Sequence, residues 1–169
     1  MTGHTRGTGT GDRRQQSKGQ SAPLRLRSFF TFGYQAHTLT SMVQVLSTNN
    51  IELLVDVRQN PVSRKAGFSK RRLAAYLSRV GIEYLHYAPL GTPTDIRKIY
   101  YERGDVTLAL KQYERYLESR KEHLRSLVES VSSRRFCLLC LESDHNSCHR
   151  GVIADKLAEM TKCQPIHLV

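Results

Sequence analysis

The chain has no tryptophan, only four cysteines and only five prolines among its 169 residues. No apolar segment approaches the roughly 20 residues of a membrane-spanning helix, and the N-terminus lacks the apolar core of a secretory signal. The cysteines are also not spaced like those of a small disulfide-stapled secreted domain. We therefore expect a cytoplasmic globular protein with free thiols and no membrane partner.

Positive charge is abundant, with 26 Lys and Arg against 15 Asp and Glu, a net charge of +11. Residues 1–28 carry six Lys or Arg and one Asp, which is +5, and leave +6 for the rest. Their richness in Gly, Thr, Ser and Gln predicts a disordered basic tail. The charge indicates a nucleic acid or a phosphate-bearing small molecule as partner. The alternative is a basic tail on an ordinary charged surface.

Residues 29–169 are predicted to form a single α/β domain. Strand-like segments alternate with helical ones, and a long helical region over about 105–132 breaks near Arg120. No element is predicted between Gly91 and residue 105. The alternation predicts three layers, with a mostly parallel sheet of about five strands and helices on both faces. The strand-like segments are SFFTFGY, IELLVDV, IEYLHYAPLG, RFCLLCLE and QPIHLV.

Polar side chains follow these strands and are expected to form one site, because the carboxyl ends of parallel strands meet at one edge of a sheet. Asp56 ends an apolar strand, where a carboxylate needs a partner. Arg58 lies two residues on and faces the same side. The alternative is that Asp56 binds amide groups of the following loop.

The segment CLLCLESDHNSCHR, residues 137–150, carries three of the four cysteines. Positions three apart in a strand point to opposite faces, so Cys137 is predicted to lie in the core and Cys140 in the site. Cys148 precedes a helix, where free amide groups and the helix dipole favour a thiolate.

Four interpretations of this segment remain open. Cys148 is a nucleophile with Glu142, His149 or His86 as acid or base. Alternatively, zinc is bound by Cys140, His145, Cys148 and His149, although their spacing matches no familiar zinc pattern. In the third, the helix start and Arg150 bind an anion, and in the fourth the segment is purely structural.

Four blocks resemble the domain-of-unknown-function 488 family over about residues 29–169: TFGYQAHTLTSM, IELLVDVRQNPVSR, FSKRRLAAYLSRVGIEYLHYAPLG and CLLCLESDHNSCHRGVIADKL. The resemblance implies a single α/β domain but no reaction. Family members often have a small hydroxyl residue where this chain has Gly151. The family's characteristic positions fall on Gly33, Asp56, Arg58, Pro61, Ser63, Tyr84, Gly91, Cys140, Glu142, Cys148, His149 and Arg150.

We expect from the sequence an anion- or phosphate-binding, enzyme-like site for a nucleotide or nucleic acid, with no resident metal or cofactor and zinc as the alternative. The predicted catalytic residues are Cys148, Glu142, Asp56 and His149. The predicted binding residues are Arg58, Arg150, Ser63, Arg64, Tyr34, Tyr84, His86 and Cys140. The rival is a non-catalytic nucleic-acid-binding or interaction module with a structural Cys/His cluster, in which the tail, Lys65, Lys70, Arg71 and Arg72 contact phosphates.

Overall fold

The computed structural model describes residue 1, residue 26 and residues 28–169. The predicted basic tail, residues 1–28, therefore lies almost entirely outside the described residues. The strands are β1 (Phe29–Gly33), β2 (Leu53–Asp56), β3 (Glu83–His86), β4 (Phe136–Cys140) and β5 (Pro165–Leu168). The helices are α1 (Leu39–Thr48), α2 (Lys70–Arg79), α3 (Thr94–Glu102), α4 (Val106–Glu118), α5 (Lys121–Val131) and α6 (His149–Thr161).

All five strands are parallel and lie in the order β3-β2-β4-β1-β5. The register pairs Gly33 with Cys140, and Asp56 with both Leu139 and His86. The carboxyl ends of β1 to β4 are therefore level with one another. Their loops meet at one edge of the sheet, as the sequence predicts.

Helices cover both faces of the sheet, which confirms the three-layer α/β prediction. One core contains Leu54 and Cys137 of the sheet with Met42 of α1 and Leu73 of α2. The other core packs the opposite strand residues against α3, α4, α5 and α6. Cys137 is fully buried in the first core, as predicted for a strand residue three positions from Cys140.

The helix limits follow local signals in the sequence. Thr38 caps α1 by accepting the amide hydrogen of Ser41 at 3.1 Å. Ser69 precedes α2, but its hydroxyl donates to the Ser63 carbonyl rather than capping the helix. The long helical region is interrupted between α4 and α5, close to Arg120 as predicted.

Helix α3 is the main element that the sequence pattern does not predict. It buries only Ile96 and Ile99, too few apolar positions for a clear helical period. Within the described part of the chain, no helix combines the length and the apolar character required to traverse a bilayer.

Candidate functional site

A cleft of about 250 Å³ opens at the carboxyl edge of the sheet. The end of β4 forms its floor, the loop after β2 forms one wall, and α3 and α4 form the other. Predicted site residues in its lining are Tyr34, Arg58, Cys140, Glu142, Cys148 and His149.

Four side chains at the floor converge, and we call them the Cys–Glu–His cluster: Cys140, Glu142, Cys148 and His149. One potential ligand atom from each lies within 4.8 Å of the others. The Sγ atoms of Cys140 and Cys148 lie 3.2 and 3.0 Å from Glu142 Oε2. The same sulfurs lie 3.5 and 4.0 Å from His149 Nδ1. The sequence predicts all four as site residues, and the structure brings them into direct contact.

The loop between β4 and α6 places the cluster by bringing residues 140–149 back on themselves. Asp144 caps a short 3₁₀ turn, His145–Ser147, by accepting the amide hydrogen of Asn146 at 2.9 Å. Cys148 then serves as the N-cap residue of α6. The turn packs tightly on the helix, because a Cβ at Gly151 would lie 2.2 Å from the His145 carbonyl oxygen. A hydroxyl residue at position 151 would therefore require this loop to move.

Arg150 supports the loop from beneath. Its guanidinium is buried and donates to the backbone carbonyls of Glu142 and Ser143, the second at 2.8 Å. Arg150 does not line the cleft. Arg150, which the sequence predicts to bind an anion, therefore binds backbone oxygens of the loop that carries Glu142.

The ring of His149 is oriented by the neighbouring strand. Nε2 lies 3.0 Å from the Val57 carbonyl oxygen, which can only accept a hydrogen bond, so Nε2 carries a hydrogen. In the neutral imidazole, the lone pair of Nδ1 then points at the two thiols. The edge of the Tyr113 ring packs against His149 with 5.2 Å between ring centroids.

Burial dominates the ionisation of the two thiols. It raises the pKa of Cys140, and it raises the pKa of Cys148 well above its ordinary value, with the nearby Cys140 adding to the effect. The expectation that the start of α6 favours a Cys148 thiolate is therefore wrong, because loss of hydration outweighs the helix dipole. At neutral pH both cysteines are protonated and donate to Glu142.

The pKa values of Glu142 and His149 shift in the direction opposite to the one that burial favours. Burial favours a neutral Glu142, but hydrogen bonds from Tyr101 and Cys148 outweigh it and lower the pKa of the carboxyl. Burial likewise favours a neutral His149, but its contact with Cys148 and its bond to the Val57 carbonyl raise the pKa of the imidazole. The cluster therefore contains an ionised carboxylate at neutral pH.

A second group of predicted residues surrounds Asp56, which is fully buried. Arg58 binds it through two donors, with Nε 2.8 Å from Oδ1 and Nη2 2.5 Å from Oδ2. Tyr84 donates to Oδ2 at 2.6 Å, and Arg58 also donates to the Tyr34 hydroxyl and the Phe68 carbonyl. The predicted Asp56–Arg58 pair is confirmed, and Asp56, Tyr34 and Phe68 together occupy most donors of that guanidinium.

Three other candidates lie away from the cleft lining. Ser63 accepts the Lys65 amide hydrogen within its loop, Arg64 is exposed, and His86 Nε2 lies 2.9 Å from the Arg58 carbonyl oxygen. His145, a ligand in the zinc interpretation, instead stacks on His167 with 3.5 Å between ring centroids.

Sequence reasoning missed the three polar side chains that α3 contributes to the cleft: Arg97, Tyr100 and Tyr101. Tyr101 donates to Glu142 Oε1 at 2.5 Å. Burial and the nearby charges of Glu142 and Cys148 raise the pKa of Tyr100 to about 12. The sequence signal that could have identified them is their spacing of three and four residues, which places all three side chains on one helix face.

The chain was compared with protein families, curated proteins and solved structures. No curated protein and no solved structure matches it. The family model described as "Domain of unknown function DUF488" matches residues 38–157, a range that contains Asp56, Arg58, Tyr84 and the whole Cys–Glu–His cluster. The chain therefore belongs to the DUF488 family.

Proposed function

We propose that the Cys–Glu–His cluster binds a thiophilic divalent metal ion, zinc in the first place, and that the chain is a metal-dependent enzyme for a small molecule. The observation that carries the proposal is the convergence of two thiols, an imidazole and a carboxylate within 4.8 Å at the floor of a cleft. Thiolate, imidazole and carboxylate are the ligands that zinc prefers in proteins.

The spacing of the cluster atoms suits a tetrahedral ion. With Zn–S bonds of about 2.3 Å and Zn–N or Zn–O bonds of about 2.1 Å, neighbouring ligand atoms lie about 3.5 to 3.8 Å apart. The thiol distances to Glu142 and His149 range from 3.0 to 4.0 Å. These four distances differ from the tetrahedral values by about half an ångström.

The surroundings of the cluster also suit a metal centre. Metal-bound histidines usually donate their second ring N–H to a carbonyl or carboxylate, as His149 does to Val57. Glu142 keeps its second oxygen for the Tyr101 hydroxyl. The bond to Val57 leaves Nδ1 of His149 facing the thiols, and the bond from Tyr101 leaves Oε2 of Glu142 facing them. Both atoms are therefore available to bind an ion.

The other interpretations of the cysteine segment have less support. A nucleophilic Cys148 requires a readily formed thiolate, whereas burial raises its pKa and its thiol donates a hydrogen bond to Glu142. An anion site built on Arg58 and Arg150 requires free guanidinium donors, whereas both side chains bind acceptors within the protein. We therefore favour the metal site, with Glu142 in place of His145.

A metal at this position would polarise a substrate that takes the place of Glu142 on the ion, and the displaced Glu142 would be the adjacent group able to take up a proton. The small volume of the cleft favours a small molecule over a nucleic-acid strand. Cytoplasm is the expected location, because the cluster requires reduced thiols. The rival nucleic-acid-binding module stays a prediction.

Metal content and ligand-field spectra test the proposal. Full-length protein incubated with zinc and then desalted is expected to retain one equivalent. Cobalt(II) is expected to give strong visible bands and near-ultraviolet thiolate-to-cobalt absorption. Cys148→Ser should remove that absorption in part, and Cys140→Ser with Cys148→Ser completely. Cys163→Ser, which changes a cysteine outside the cluster, should have no effect. Metal-free protein, or equal spectra for Cys148→Ser and Cys163→Ser, would refute the metal site.

A further inference from the structure

Helix α3 presents one cationic and two aromatic side chains to the cleft. Arg97, Tyr100 and Tyr101 all line it, and their positions i, i+3 and i+4 place them on one helix face. Helix α3 packs against α4. The Tyr101 hydroxyl donates to Glu142, so this face of α3 borders the Cys–Glu–His cluster.

Arg97 is the uncommitted cation of this cleft. Among the described residues, no hydrogen bond or ion pair involves its guanidinium, whereas Asp56, Tyr34 and Phe68 occupy most donors of Arg58. Arg97 is half-buried. A guanidinium binds a carboxylate or phosphate with two parallel hydrogen bonds.

The two α3 tyrosines differ from the other tyrosines of the cleft. Tyr34 is stacked on Phe68 at 4.3 Å between ring centroids, and the Tyr113 hydroxyl donates to the Leu90 carbonyl, so both are fixed parts of the wall. The Tyr101 hydroxyl is also bound, to Glu142, but its side chain is 58 % exposed, and Val62 on the facing loop is 81 % exposed. These exposed apolar surfaces at the cleft mouth would be covered by a flat ligand.

The size of the cleft limits the ligand. Its volume of about 250 Å³ lies just below the roughly 300–1,000 Å³ of ordinary small-molecule pockets. A single ring with one charged substituent fits this space. A duplex or an extended strand does not.

We infer that the cleft selects a monocyclic, planar anion, with its carboxylate or phosphate on Arg97, its ring beside Tyr100 and Tyr101, and its far edge toward the Cys–Glu–His cluster. The inference rests on the proposed function, since it names the class of substrate that the metal centre would act on. It also moves the anion site expected from the sequence away from Arg58 and Arg150 to a residue on α3.

Binding of simple probes to the full-length protein tests the inference. Saturation-transfer NMR with benzoate and phenyl phosphate is expected to show binding. Benzamide, which has the ring without the charge, should bind at least about tenfold more weakly, as should cyclohexanecarboxylate, which has the charge without a flat ring. Equal binding of benzoate, benzamide and cyclohexanecarboxylate would overturn the inference, as would no binding of any probe.

Variants identify the residues and separate this inference from the proposed function. Arg97→Gln should reduce benzoate affinity about tenfold, while Arg103→Gln, an exposed arginine just beyond α3, should not. Equal effects would overturn the role of Arg97. Arg97→Gln should still bind cobalt normally, and Cys148→Ser should still bind benzoate. In the unmodified protein, absent benzoate binding with intact cobalt binding contradicts only the ligand class, and benzoate binding without cobalt binding contradicts only the metal site.

Discussion

Proton release accompanies metal binding if the cluster thiols are protonated in the free protein. Burial raises the pKa of Cys140 and of Cys148 above the ordinary thiol value, so both carry protons at pH 7. A metal binds thiolates, and each bound thiolate has to lose its proton first. Two protons should therefore leave for each ion that binds.

The size of this effect follows from the number of protons. Each released proton changes the apparent affinity tenfold per pH unit, or about 1.36 kcal/mol. Two thiols thus predict about a 100-fold gain in zinc affinity per pH unit around pH 7, which is about 2.7 kcal/mol. The zinc affinity rises with pH until the pH exceeds the pKa values of the two thiols. The raised pKa of His149 steepens the dependence further at pH values below it.

Competition with a chromophoric chelator at pH 6.5, 7.0, 7.5 and 8.0 measures the slope. Calorimetry in two buffers of different ionisation enthalpy counts the protons independently. Cys163→Ser should reproduce the slope of the unmodified chain, and Cys148→Ser should lower it by one proton. A slope of one or less in the unmodified protein would refute the reasoning, because one thiol would then already be ionised.

Three substitutions test the supports of the site. Arg150→Gln should lower the free energy of unfolding, measured by denaturation, by about 3 kcal/mol, because the carbonyls of Glu142 and Ser143 lose charged donors. The control Arg134→Gln, which breaks a surface pair with Glu83, should lower it by less than about 1 kcal/mol in the same assay. Gly151→Ala should cost about 1–3 kcal/mol and weaken zinc binding in chelator competition, because its Cβ meets the His145 carbonyl; unchanged values would contradict the tight loop. Asp56→Asn should cost about 3–5 kcal/mol by leaving Arg58 buried without its carboxylate, and a loss no larger than that of Glu83→Gln would contradict a structural role.

Most of the fold could be predicted from the sequence because its signals are local. The run IELLVDV is apolar on both sides and becomes the interior strand β2, and Thr38 marks the start of α1. Alternation of strands and helices then determines parallel pairing and the location of the site. Helix α3 could not be found in this way, because Ile96 and Ile99 are its only buried residues and its side chains are positioned mainly by packing on α4.

The members of the site were easier to predict than their roles. Cys140, Glu142, Cys148 and His149 were expected to meet, since each lies at or just after a strand end. The sequence pattern does not show which polar groups already bind partners within the protein. These internal bonds determine the roles of Arg58 and Arg150. The hydration lost by Cys148 depends on surrounding side chains from other elements, so a helix-start rule overestimates its acidity.

All four side chains of the Cys–Glu–His cluster lie between positions 140 and 149, and this has a consequence for folding. Closing so short a loop costs little conformational entropy, so the unfolded chain keeps the same four groups near one another. A metal ion that binds the folded site will then also bind the unfolded chain. Such binding reduces the stabilisation that a metal contributes below the value expected from its affinity for the folded state. It also means that these thiols can be protected by the ion before the sheet has formed.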